Sequence, residues 1–132
     1  MSRLTSIPEF VVFEGAHAHI MGRLRDSDGS LITQATVSSI AWSIYDHIAP
    51  TTVVASGTLT VADVVFDTLQ VDARWTQENP LDSTGYNFRA VYAPTRFPRG
   101  GRTYRLEQAL TLSSGEVAMY PCNVTVIDMF SK

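Results

Sequence analysis

Apolar and polar side chains alternate with a period of two through most of the chain from residue 35 onward. In Gly85–Tyr92, Tyr86, Phe88, Ala90 and Tyr92 fall on one face and Asn87, Arg89 and Val91 on the other, which is the spacing of a half-buried strand. In Thr103–Leu112, Tyr104, Leu106, Gln108, Leu110 and Leu112 share a face opposite Arg105, Glu107, Ala109 and Thr111. A Pro/Gly-rich stretch separates these runs, so the pattern predicts a β-hairpin whose oily face lies against a second sheet. Within Ala35–Asp46, Ile40, Trp42 and Ile44 alternate with Ala41, Ser43 and Tyr45, and Trp42 is the expected plug of the core.

Shorter segments extend the same pattern. His17, His19, Met21 and Arg23 alternate with Ala18, Ile20, Gly22 and Leu24 in Ala16–Arg25; Thr52–Ala55, Gly57–Val61 and Val64–Leu69 are rich in strand-forming residues. Glu116–Asp128 closes the series, with Tyr120, Cys122, Val124 and Val126 on one side and Pro121, which lacks an amide donor, expected at an edge or bulge. Asp26-Ser27-Asp28-Gly29 and Ser113-Ser114-Gly115 are turns. Gln70–Thr84 is predicted as a loop with room for one helical turn, in which Trp75 either folds over the open end of the core or meets a partner chain. Met1–Gly15 forms an N-terminal arm whose patch Phe10–Phe13 pairs at a sheet edge or reaches a neighbouring subunit, leaving residues 16–132 as a single domain.

About seven strands without helical periodicity imply an all-β fold, a single antiparallel β-sandwich. Tyr104, just after Gly100-Gly101, resembles the tyrosine corner of immunoglobulin-like and fibronectin III-like domains, and Trp42 resembles their core tryptophan. The antibody-type cysteine pair is absent, so the resemblance is one of architecture. Trp42, Tyr86, Phe88 and Tyr104 are the expected structural core.

A chain of 132 residues buries roughly two-thirds of its unfolded surface, enough for a core without metal or disulfide. The net charge of −3 argues against direct nucleic-acid binding, which depends on a clustered basic surface. Arg89, Arg96, Arg99, Arg102 and Arg105 gather around the glycine turn as a local basic rim that contacts solvent or protein. Lone Cys122 is expected to be a small buried hydrophobe. The N-terminus lacks the charged and apolar regions of a signal peptide, and no apolar run reaches membrane-spanning length, so synthesis in a reducing cytoplasm is expected, with no membrane partner.

Candidate chemistry is sparse. His17 and His19 share a face but lack a third metal ligand at matching spacing; Asp26–Gly29 opens like a calcium loop but lacks the downstream acid. His47 stands beside Asp46 in sequence only, and Asp63, Asp67, Asp72 and Asp82 fit turn formation better than paired-acid hydrolysis. Glycine-rich phosphate loops, nucleophile elbows and zinc-spaced cysteines do not occur. No catalytic residue, metal, cofactor or small-molecule substrate is therefore expected.

Val64–Arg89, VVFDTLQVDARWTQENPLDSTGYNFR, and Pro98–Glu107, PRGGRTYRLE, together resemble a group of small uncharacterised proteins encoded among the structural genes of tailed bacteriophages. That resemblance implies a virion context, synthesis being in the host cytoplasm; taken with the sparse chemistry, the expected role is a non-enzymatic virion structural protein, either a head accessory or decoration protein or a neck or tail component. It would act as a homo-oligomer on other virion proteins. Contacts are expected at Phe10, Val11, Val12 and Phe13, at Trp75, and at Arg96, Arg99 and Arg102. The alternative is an adhesion module that stacks host carbohydrate, or binds host protein, on Trp75, Tyr86 and Tyr92.

Overall fold

The computed structural model describes residues 7–78 and 83–129; part of the expected arm, the middle of the 70–84 loop and the tail lie outside the described residues. Eight strands form among them: β1 (Glu9–Phe13), β2 (Ala18–Gly22), β3 (Val37–Asp46), β4 (Ala49–Leu59), β5 (Val65–Gln70), β6 (Tyr86–Tyr92), β7 (Thr103–Leu112) and β8 (Val117–Ile127). Two short helices, α1 (Val61–Val64) and α2 (Ala73–Glu78), flank β5. The strands make two sheets, one ordered β1-β8-β7-β3-β4 and the other β2-β6-β5, so the fold is all-β. Pairing is antiparallel throughout except between β1 and β8, which run parallel.

Both sheets turn their apolar faces into a common core. Ile40, Trp42 and Ile44 of β3, Tyr104, Leu106 and Leu110 of β7, and Cys122, Val124 and Val126 of β8 meet Ile20, Val65, Phe88, Ala90 and Tyr92 from the smaller sheet. Trp42 packs edge-on against Tyr92 with centroids 5.2 Å apart, and Phe88 does the same with Tyr120 at 5.8 Å. The alternation is realised residue by residue in β7 and over Ile40–Ile44 of β3, where inward positions are buried and their neighbours are not; a register shift between Val37 and Ser39 breaks it at the start of β3. The Tyr104 phenol accepts a hydrogen bond from the Arg99 N–H at 3.0 Å, the backbone tie expected of a tyrosine at that corner.

The expected hairpin between Gly85–Tyr92 and Thr103–Leu112 does not form, because β6 and β7 lie in different sheets. Their link is too long for a tight turn: it carries a 3-10 turn at Pro94–Arg96 and sinks Phe97 between Tyr92 and Tyr104, with centroids 6.2 and 5.7 Å away. Thr52–Ala55 and Gly57–Val61 are likewise not separate strands. They merge into β4, and Val61 begins α1. Gly57, inside that strand, pairs with Trp42, and glycine is needed there because a Cβ would lie 2.8 Å from the Trp42 ring.

Edge pairing is the fate of the arm residues that are described. β1 aligns Glu9–Phe13 with Asn123–Ile127 of β8, burying Phe10. It leaves Val117–Pro121 paired to β7 alone, so Pro121 sits where its missing N–H costs no ladder bond on the β1 side.

Candidate functional site

Register dictates what the larger sheet shows to its surroundings. With Tyr120, Cys122, Val124 and Val126 turned inward, the intervening residues of β8 point out, and Val117 and Met119 are 53% and 56% exposed. β1 adds Val11 and Phe13, each 58% exposed, beside Thr125 and Ile127. Across β7, β3 and β4 the same face carries small neutral residues: Ala109 beside Ala41 and Thr58, Thr111 beside Ser39, and Ser43 beside Ser56. Its charges are few: Arg105 and Glu107 lie 3.9 Å apart, the Arg105 Nε–H also donates to Asn123 Oδ1 at 2.9 Å, and exposed Glu9 sits beside Asn123 at the end of β1. This broad, nearly uncharged outer face is the candidate functional surface. Such a surface can bury another protein with little charge desolvation.

The residues expected to make contacts divide sharply. Val11 and Phe13 belong to this outer face, whereas Phe10 is in the core and Val12 packs against it. Period-two pairing in β1 forces that split. Trp75 is 4% exposed, so it folds back rather than awaiting a partner, but onto a second cluster with Met21 and Tyr86 instead of the open end of the main core. Arg96 and Arg99 are exposed, with the Arg96 guanidinium over the Trp42 ring at 5.3 Å. Arg102 is tied to Asp46, whose carboxyl is held below the usual carboxylate range by the Ile48 amide, against some burial, and by Arg102 itself. Two of the three arginines are therefore committed within the chain. Tyr86 and Tyr92 are each 3% exposed and, like Trp75, present no ring for stacking a sugar.

Asp72 holds Trp75 down. Its Oδ1 accepts the Trp75 N–H at 3.1 Å at the start of α2, while Oδ2 accepts the Tyr86 hydroxyl at 2.8 Å. Arg74 and Arg89 approach Oδ2 at 3.3 and 3.6 Å. Burial pushes the Asp72 carboxyl up, but these donors outweigh it and leave the group below the usual range. Trp75, Tyr86 and Met21 thereby form a second apolar cluster, separate from the main core, with Phe66 packed against it. Tyr86 is buried as expected but belongs here rather than with Phe88 and Tyr104.

His17, His19 and Arg74 border a cleft of about 100 Å³ between β1 and β2. Partial burial lowers the His19 pKa, and Arg74, Arg89 and His17 lower it further; its Nδ1 is enclosed without a hydrogen-bond partner. Cationic neighbours of this kind repel a divalent ion, and the described residues contain no group of three candidate metal ligands. At the Asp26–Gly29 turn the Asp26 carboxylate accepts the Asp28 and Ser30 amides at 2.9 and 3.0 Å, which is turn chemistry. Cys122 is fully buried and its thiol is pushed up to about 12 by burial, so it is inert at neutral pH.

Of the two buried polar groups, Gln108 follows the alternation and Asn87 escapes it. Asn87, placed on the wet face by its spacing, is 2% exposed: its amide donates to the carbonyls of Leu24 and Ile32 and accepts the Leu24 N–H. Gln108 accepts the Tyr92 hydroxyl at 2.6 Å and donates to the Tyr120 carbonyl. The outward Val117 and Met119 were a legible signal, since both are apolar on the side of β8 that the alternation leaves to solvent. No family model matches the chain, and no curated protein or solved structure matches it at a significant level.

Proposed function

We propose that the chain is a non-enzymatic structural protein of a tailed-bacteriophage particle, working in the head, neck or tail through repeated protein–protein contacts. The outer face of the larger sheet carries this reading: exposed Val11, Phe13, Val117 and Met119 border a neutral field of small side chains. A face of that kind suits contacts that are individually modest and multiplied by symmetry. The resemblance over Val64–Arg89 and Pro98–Glu107 supplies the phage context.

The two sheets in this reading form one immunoglobulin-like sandwich, nearest the variable type. Support comes from the grouping of β8-β7-β3-β4 opposite β2-β6-β5, as the G-F-C-C′ and B-E-D strands group in such domains. The Tyr104 tie lies two residues before Leu106, which with Ile20 fills the interior where antibody domains place their disulfide. The adhesion alternative loses its stacking platform through the burial of Trp75, Tyr86 and Tyr92.

Mass spectrometry of purified particles tests the proposal. The chain is expected in them at a copy number set by particle symmetry. Its absence from particles, together with retention on a glycan column, would replace this reading by the adhesion one.

A further inference from the structure

The larger sheet ends on β4, and that edge differs from the others. Between Ile48 and Ala62 the sequence holds no charged side chain. Free edges are normally guarded by charges, prolines, bulges or covering segments, because unpaired backbone N–H and C=O groups recruit other strands. In β4, Pro50 and the register shifts near Tyr45 guard the hairpin end only; Ala55–Leu59 pairs with Ile40–Ile44 without interruption. Ser56 and Thr58 are exposed along this stretch, and Val53 and Val54 stand out of the core at its start.

Elsewhere the edges are protected. Over β5, Gln34 donates its side-chain amide to the Val65 carbonyl at 2.9 Å and its backbone amide to Asp67 Oδ1 at 2.8 Å. β1 is bracketed by Glu9 and Glu14, and β2 faces the cleft bordered by Arg74.

We infer that β4 pairs antiparallel with β4 of a second copy about a two-fold axis, joining two larger sheets edge to edge. Two-fold antiparallel pairing sets the first half of the strand against the second half of its copy and the centre against itself, so an uncharged strand pairs with its copy without a like-charge clash in any register; β4 carries no charge. That neutrality favours a second copy over a strand carrying complementary charge. The inference deepens the virion reading by naming the homotypic contact, and rests on it only for the contact's use in assembly.

Sedimentation equilibrium of the full chain tests the seam. Twice the chain mass is expected. Ser56→Lys and Thr58→Lys, both at exposed positions on the seam, are each expected to restore the single-chain mass while keeping the β-sheet circular dichroism of the folded chain. Phe13→Lys, on the opposite edge, is expected to keep the doubled mass. A single-chain mass for the unaltered protein at every concentration would overturn the inference, as would a doubled mass surviving both seam variants or lost in Phe13→Lys. A monomeric chain found in particles sinks the seam and leaves the virion reading standing; a β4-dependent dimer absent from particles does the reverse.

Discussion

His19 shows how a single side chain links the fold to its conditions. Partial burial is the main cause of its lowered pKa, with Arg74, Arg89 and His17 adding to it, so the folded chain binds this proton more weakly than the unfolded chain does. Its contribution to stability is therefore complete above the ordinary value of 6.5 and declines as pH falls from there to the folded pKa. Asp46 and Asp72 act in a lower window: their depressed pKa values hold stability above 3.8, which is lost as pH falls through the folded values. Thermal midpoints measured against pH should descend first below about 6.5 and again in the carboxylate range. His19→Gln should remove the first descent and leave the second; an unchanged first descent would assign it elsewhere. Asn87 illustrates what a residue-level pattern misses. Its spacing marked it as exposed, yet three hydrogen bonds to the Leu24 and Ile32 backbone draw it inside, and no periodicity encodes the carbonyls of a distant loop.

At the scale of elements, α2 changes the meaning of the 70–84 segment. Asp72 caps its first turn and bonds Tyr86, which fastens Trp75 against Tyr86 with centroids 5.6 Å apart. Trp75 therefore contributes to folding, and Trp75→Ala should lower the free energy of unfolding by about 3 kcal/mol, the lower end for removing a buried tryptophan, as read by urea titration. A loss below about 0.5 kcal/mol, the range of surface substitutions, would return Trp75 to the surface. The inward faces of β3, β7 and β8 were legible because one-sided burial writes itself as alternation. Pairing partners were not. Succession in the chain pairs Thr103–Leu112 with Gly85–Tyr92, whereas β7 takes β3 and β8 as neighbours and the buried Phe97 carries the chain from one sheet to the other. Adjacent runs share a pattern whether they pair or face each other across a core.

For the whole molecule, the candidate surface emerges only when strands are laid side by side. Val117 and Met119 were readable as outward apolar residues, but their continuity with Val11 and Phe13 depends on the parallel β1–β8 pairing, and the neutral field depends on β3 lying between β7 and β4. Long-range pairing of this kind leaves no trace in a local window of sequence. An interface of ordinary size buries about 800 Å² on each partner, a demand that a five-stranded face can meet more readily than a loop. Under the proposed function, Met119, open in the free chain, is expected to be covered in the assembled particle. Hydroxyl-radical footprinting of the isolated chain and of purified particles, read at Met119 and Phe13, measures this directly. Strong labelling of the free chain with protection of both side chains in particles is the predicted result; equal labelling in the two states would contradict it.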